Sequence, residues 1–186
     1  MRLEQHITDT LKEWELKLGG IEGGIRLYYP CDSIQEYLGV EFLEQNAESW
    51  LAQKTRVYLE KEAPYLGAVK TEYHEGRIAI QIPEEGCQYV SEQIEYPKLL
   101  VELLPLLKKP DLEPIRALFE AYAKERGGRL LEDKEEQELG CVLFFDCDAV
   151  DPYVYCFDAD DFGITYHRFA REDYRKLSGK GEEEKE

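Results

Sequence analysis

The chain has 186 residues, 40 acidic against 23 basic, for a formal net charge of −17; phosphate backbones and anionic lipids are repelled over about 8 Å at physiological salt, which makes nucleic acid and membrane surfaces unexpected partners. A hydrophobic share of 43% suffices for a core without metal or disulfide staples. Cys31, Cys87, Cys141, Cys147 and Cys156 form no CxxC pair and no zinc spacing, which argues against a disulfide framework and for a reducing, cytoplasmic setting.

Residues 1–18 carry charges on every turn, unlike a secretion leader. Leu3, Ile7, Leu11, Trp14 and Leu18 instead make one apolar stripe on a helix that Gly19 and Gly20 end. Residues 25–29 read as a strand stopped by Pro30, and Ser33 to Glu36 has the form of a capping box at a helix start. A long amphipathic helix is predicted over 41–62, closed by Pro64. Extended runs over 65–74 and 77–82, joined at Glu75-Gly76, predict a hairpin, and 84–94 a short helix.

Leu99, Leu100, Leu103, Leu104 and Leu107 form a buried helical stripe over 97–107 that Pro105 shortens; its length and charges fall well short of the ~20 apolar residues of a membrane span. Asp111 caps a helix that runs to Gly127-Gly128. The remainder is β-rich: a short strand at 129–131, then 140–146, 153–157 and 162–169, close enough in sequence for an antiparallel meander, with a brief helix over 172–177.

Two stretches carry candidate chemistry. Residues 142–148 form an apolar strand ending in Asp146-Cys147-Asp148, with Asp151, Asp158, Asp160 and Asp161 following, and carboxylates at strand ends can hold Mg²⁺ or Ca²⁺. This strand resembles that of a polymerase palm, and Asp161-Phe162-Gly163 is similar to the magnesium tripeptide of protein kinases. The glycine-rich phosphate loop, nucleotide-binding lysine motif and basic groove that accompany such chemistry are missing from the sequence. Aspartates also populate turns simply because their side chains bond nearby amides and stay wet. The second stretch is a thiol: if Asp160 and Asp161 form a two-residue turn, Cys156 faces Thr165 and His167 lies diagonally on the same sheet face, where a Cys–His pair would make a thiolate nucleophile. The plain alternative is a cysteine buried as a small hydrophobe.

The same register pairs Tyr155 with Tyr166 and Phe157 with Ile164, an aromatic face that packs under helices or, left open, recognises a partner. His6 and His74 have no neighbour at metal-ligand spacing and read as solvated or hydrogen-bonded. The glycine pairs at 19–20, 23–24 and 127–128 follow helices and precede strands, the reverse of a phosphate loop.

Residues 24–30 (Gly-Ile-Arg-Leu-Tyr-Tyr-Pro) and 155–169 (Tyr-Cys-Phe-Asp-Ala-Asp-Asp-Phe-Gly-Ile-Thr-Tyr-His-Arg-Phe) resemble small acidic bacterial proteins grouped as a domain of unknown function. The resemblance implies a bacterial cytosolic setting and supplies no activity, ligand or catalytic residue.

The expected fold is α+β, with a central hairpin and a meander near the C-terminus covered by four main helices. Residues 1–177 are expected to form one domain, or two subdomains sharing a core, and 178–186 a disordered acidic tail. The expected function is a non-catalytic cytosolic binding or regulatory module for a protein or small molecule, with no cofactor. The alternative is a divalent-metal-dependent hydrolase or phosphoryl-transfer enzyme using Asp146, Asp148 and Asp158 with Mg²⁺ or Ca²⁺.

Overall fold

The computed structural model describes residues 1–21, 23–40, 47–136 and 139–179. They divide into two compact units, Met1–Pro97 and Lys98–Glu186, each built around its own antiparallel sheet. The α+β expectation, with a central hairpin and a C-terminal meander, therefore holds.

In the first unit, α1 (Leu3–Leu18) buries Leu3, Ile7 and Leu11, but the far end of the predicted stripe, Trp14 and Leu18, is exposed. Gly19, at φ 80°, closes the helix by donating its N–H to the Glu15 carbonyl. Strand β1 (Ile25–Pro30) runs directly into α2 (Cys31–Leu38). Ser33 is thus already inside a helix, buried, and does not cap it; the N-cap is Pro30, three residues earlier than the Ser-Glu spacing suggests.

Helix α3 (Ala47–Glu62) covers the predicted long helix from residue 47 onward, while 41–46 lie outside the described residues. Pro64–Leu66 then makes a 3-10 turn, so that β2 (Lys70–His74) starts five residues later than the expected strand. Pro64 and Gly67 account for the delay, since one lacks a ladder donor and the other sits at φ 75°. Strand β3 (Arg77–Ile82) follows through Glu75 (φ 48°) and Gly76 (φ 79°), whose paired positive angles match the twist of a two-residue hairpin. The sheet order is β1-β3-β2. Leu27, Tyr29, Ile78, Ile80 and Ile82 pack in one core with Leu3, Ile7, Ile34, Leu51 and Leu59 of the helices. Helix α4 (Glu84–Gln93) completes the unit. There Gly86 lies so close to Leu66 that a Cβ would meet its carbonyl oxygen at 2.2 Å.

The second unit begins with α5 (Lys98–Leu103), which is shorter than predicted because the chain turns at Pro105 into a 3-10 turn at Leu106–Lys108. The N-cap of helix α6 (Glu113–Glu125) is Leu112 rather than Asp111, whose carboxylate still accepts the Glu113 amide at 3.1 Å. The four-stranded meander is β4 (Leu130–Asp133), β5 (Cys141–Phe145), β6 (Tyr153–Asp160) and β7 (Gly163–Ala170), and α7 (Arg171–Leu177) follows. The tail from residue 180 lies outside the described residues.

The aromatic sheet face is buried. Phe119 of α6 stacks on Phe145 at 5.5 Å and meets Tyr155 and Phe157 edge-on at 5.0 and 5.8 Å. On the opposite face, Tyr174 of α7 packs with Val142, Val154 and Cys156. Among the described residues no helix is long and apolar enough to cross a membrane.

Candidate functional site

Strand β2 pairs with β3 on one side and with no described strand on the other. In a two-residue hairpin the residues flanking the turn exchange hydrogen bonds, so His74, Glu72 and Lys70 direct their backbone groups to β3. Thr71 and Tyr73, one residue out of phase, turn their N–H and C=O groups away from β3, toward the side on which no described strand pairs. Along that edge runs a groove of about 640 Å³, with Val69 to Tyr73 on one wall and Ser49, Ala52, Gln53 and Arg56 of α3 on the other. Thr71 Oγ1 donates to the Ala52 carbonyl at 2.6 Å and ties the walls together at its floor. The apolar side chains here, Ala52 and Val69, are buried, while Ser49, Gln53, Arg56 and Lys70 are exposed at the rim.

The outer face of the same sheet is open. Arg26, Tyr28, Lys70, Glu72, His74, Arg77 and Gln81 are all exposed on it, around a covered Ala79. Arg26 reaches diagonally across β3 to pair with Glu72. The Tyr28 ring lies tilted against His74, ring centroids 5.9 Å apart. Lys70 and Arg77 form no ion pair among the described residues, which leaves uncompensated positive charge on one face of a strongly acidic chain.

The aspartates singled out from sequence are not gathered. Asp146 accepts the Arg129 amide at 2.9 Å and its Nε at 3.0 Å, and these bonds hold its carboxyl below the usual range. Asp148 Oδ1 lies 2.6 Å from Arg171 Nε, an ion pair rather than a linear hydrogen bond, while Arg171 Nη2 donates to the Phe145 carbonyl at 2.6 Å. Asp158 is exposed on β6. Asp151 and Asp160 act as turn aspartates: Asp151 accepts the Tyr153 amide, and Asp160 accepts the amides of Phe162 and Gly163. Among the described residues no three His, Cys, Asp or Glu side chains form a group able to hold a metal ion.

The hairpin register also differs from expectation. The turn is Asp161-Phe162 rather than Asp160-Asp161, because Asp160 serves as the acceptor that closes it. Every pair slides by two residues: Tyr166 opposes Phe157, Arg168 opposes Tyr155, and His167 directly opposes Cys156. The shift is even, so Cys156 and His167 keep one face and stand closer than the diagonal arrangement would give. Cys156 is nonetheless buried, and burial, with the negative charges of Glu136 and Asp133 adding to it, pushes its thiol up to about 11. At neutral pH it is a thiol rather than a thiolate. His167 is exposed and stacks near Phe169 instead, centroids 6.2 Å apart. His6 Nδ1 and the Tyr29 hydroxyl are hydrogen-bonded at 3.1 Å.

Residues 1–178 match the family described as "Domain of unknown function, E. rectale Gene description (DUF3877)". The chain belongs to the DUF3877 family. No curated protein matches it, and neither does any solved structure.

In this DUF3877 protein the residues that sequence reasoning favoured lie in the second unit, whereas the groove and the open cationic face lie in the first. The missed signal was in Lys70-Thr71-Glu72-Tyr73-His74. Its alternation of charged and half-buried residues marks a strand with one wet face, and sequence alone does not reveal that the strand is an edge. All five cysteines are free, in line with the absence of any paired cysteine spacing.

Proposed function

We propose that this DUF3877 protein is a non-catalytic, cytosolic binding module that captures an extended segment of a protein partner by adding it as a strand to the free edge of β2. The observation that carries this reading is the groove itself, in which outward backbone groups of an edge strand face a helix wall across about 640 Å³. Strand addition draws affinity from main-chain hydrogen bonds and selectivity from the side chains that alternate into the groove. Among the described residues no strand completes this edge, and an edge strand without a strand partner is open to pairing, which favours a binding role over a purely structural one. The free cysteines fit a reducing compartment.

The test is an amide-resolved NMR titration with an octapeptide of alternating glutamate and valine, alongside the same peptide N-methylated at every second residue. Strand addition predicts new exchange protection at the Thr71 amide with the first peptide and at least a tenfold weaker effect with the second. Equal binding of both, or shifts remote from α3 and β2, would refute it.

A further inference from the structure

Resting on that reading, we infer that the captured segment is acidic, placing carboxylates on the outer sheet face beside Lys70 and small apolar side chains against Ala52 and Val69. Side chains of an added strand alternate between the two faces of the sheet, so every second residue lies level with Lys70, Glu72 and His74 while the intervening ones enter the groove. A residue directly opposite Lys70 brings its Cβ within about 5 Å, which is ion-pair distance for a glutamate or aspartate.

The charge pattern of that face selects the sign. The exposed outer residues of the three strands include Arg26, Lys70 and Arg77 but only one acid, Glu72, and Arg26 already neutralises that acid. Lys70 and Arg77 remain without an ion-pair partner among the described residues, so the face is locally positive within a chain of net charge −17. The remaining negative charge opposes an acidic ligand at long range, but screening confines most of that repulsion to about 8 Å, and Lys70 stands in contact. A basic segment would face Lys70 at close quarters, with Arg77 one strand further back on β3, a juxtaposition that discriminates against it.

The groove side sets the apolar half of the pattern. Ala52 and Val69 are buried, and Thr71 already spends its hydroxyl on the Ala52 carbonyl, so the floor offers van der Waals contact rather than a polar pocket. The preferred sequence therefore alternates an acid with valine, alanine or a residue of similar size.

Three fluorescein-labelled octapeptides separate this inference from the reading beneath it: glutamate–valine, threonine–valine and lysine–valine repeats, measured by anisotropy at 0.05 and 0.5 M NaCl. The expected result is that the glutamate–valine peptide binds at least tenfold tighter than the lysine–valine peptide, that the gap narrows at high salt, and that Lys70→Glu reverses the order while Lys70→Gln merely flattens it. Equal affinity for all three peptides would overturn the acidic preference and leave strand addition standing. No binding by any of them would remove both. Concentration-dependent dimerisation without peptide, abolished by Thr71→Pro, would assign the edge to a second copy and overturn the proposal.

Discussion

Lys12 gives the sharpest test of how the first unit is held together. Its side chain is 1% exposed, yet it carries an ammonium that donates to the Ser91 carbonyl at 2.8 Å, lies 3.4 Å from Glu15 Oε2 and sits 4.0 Å above the Tyr96 ring. Burial tends to raise the Glu15 carboxyl, but the hydroxyls of Ser91 and Tyr96 and the Lys12 charge together outweigh it and hold it below its ordinary value. Lys12→Met keeps the hydrocarbon stem and removes the charge. Breaking a buried pair costs about 3–5 kcal/mol, and because Glu15 keeps its two hydroxyl donors the lower end, about 3 kcal/mol, is expected. Glu15→Gln should cost a similar amount, about 3 kcal/mol, and the double variant should cost at least about 1 kcal/mol less than the sum. Both tryptophans, Trp14 and Trp50, belong to the first unit, so urea unfolding followed by tryptophan fluorescence reads that unit selectively. A carboxyl lowered by folding stabilises fully above its unfolded value, about 4.3, and that contribution disappears as pH falls through the folded value. The wild-type protein should thus lose stability on acidification below pH 5 more steeply than Glu15→Gln. Costs below about 1 kcal/mol for either single variant, or strict additivity, would refute the view that this pair is a coupled buried unit.

Phe119→Ala should destabilise the second unit by about 3–5 kcal/mol, as read by near-ultraviolet circular dichroism of its tyrosines, because the ring is fully buried against Phe145, Tyr155 and Phe157. Iodoacetamide at pH 7.5 should modify the exposed Cys147 long before Cys156, whose thiol is raised to about 11, and mass spectrometry of tryptic peptides resolves the two; early labelling of Cys156 would revive the Cys–His reading. Titration with Mg²⁺, Mn²⁺ or Ca²⁺ should leave the thermal midpoint unmoved, since Asp146 and Asp148 are each engaged by an arginine, whereas an ion bound at 100 times its Kd would add about 2.7 kcal/mol.

Elements whose signals are local were legible. The hairpin at Glu75-Gly76 follows from a dipeptide that tolerates two positive φ angles, and the C-terminal meander from apolar runs too close together to pair in any other order. The failures came where a neighbour outvoted the local pattern. Pro30 started α2 ahead of the Ser33 capping box, and the Asp160 carboxylate, by closing the turn over Phe162 and Gly163, moved the β6–β7 register by two residues. Trp14 and Leu18 continue the helical period of α1 but are exposed, because the periodicity of a helix does not fix how far its buried face runs.

The candidate site was less legible for a reason of geometry. Aspartates near strand ends advertise metal chemistry because the eye reads them along the chain, but a cation needs them to converge in space, and Arg129 and Arg171 each draw one away. An edge strand advertises nothing. Whether Thr71 meets a second ladder depends on the order of strands in the sheet, and that order is set by β1 returning to the far side of β3 across most of the unit. Once β1 takes that position, α3 is the described element opposite the outer edge of β2, and the Thr71 hydroxyl fixes the helix at a distance that leaves a groove rather than a closed seam. The groove is thus a consequence of topology, and that Lys70 beside it lacks an ion-pair partner among the described residues is visible only once the strands are placed.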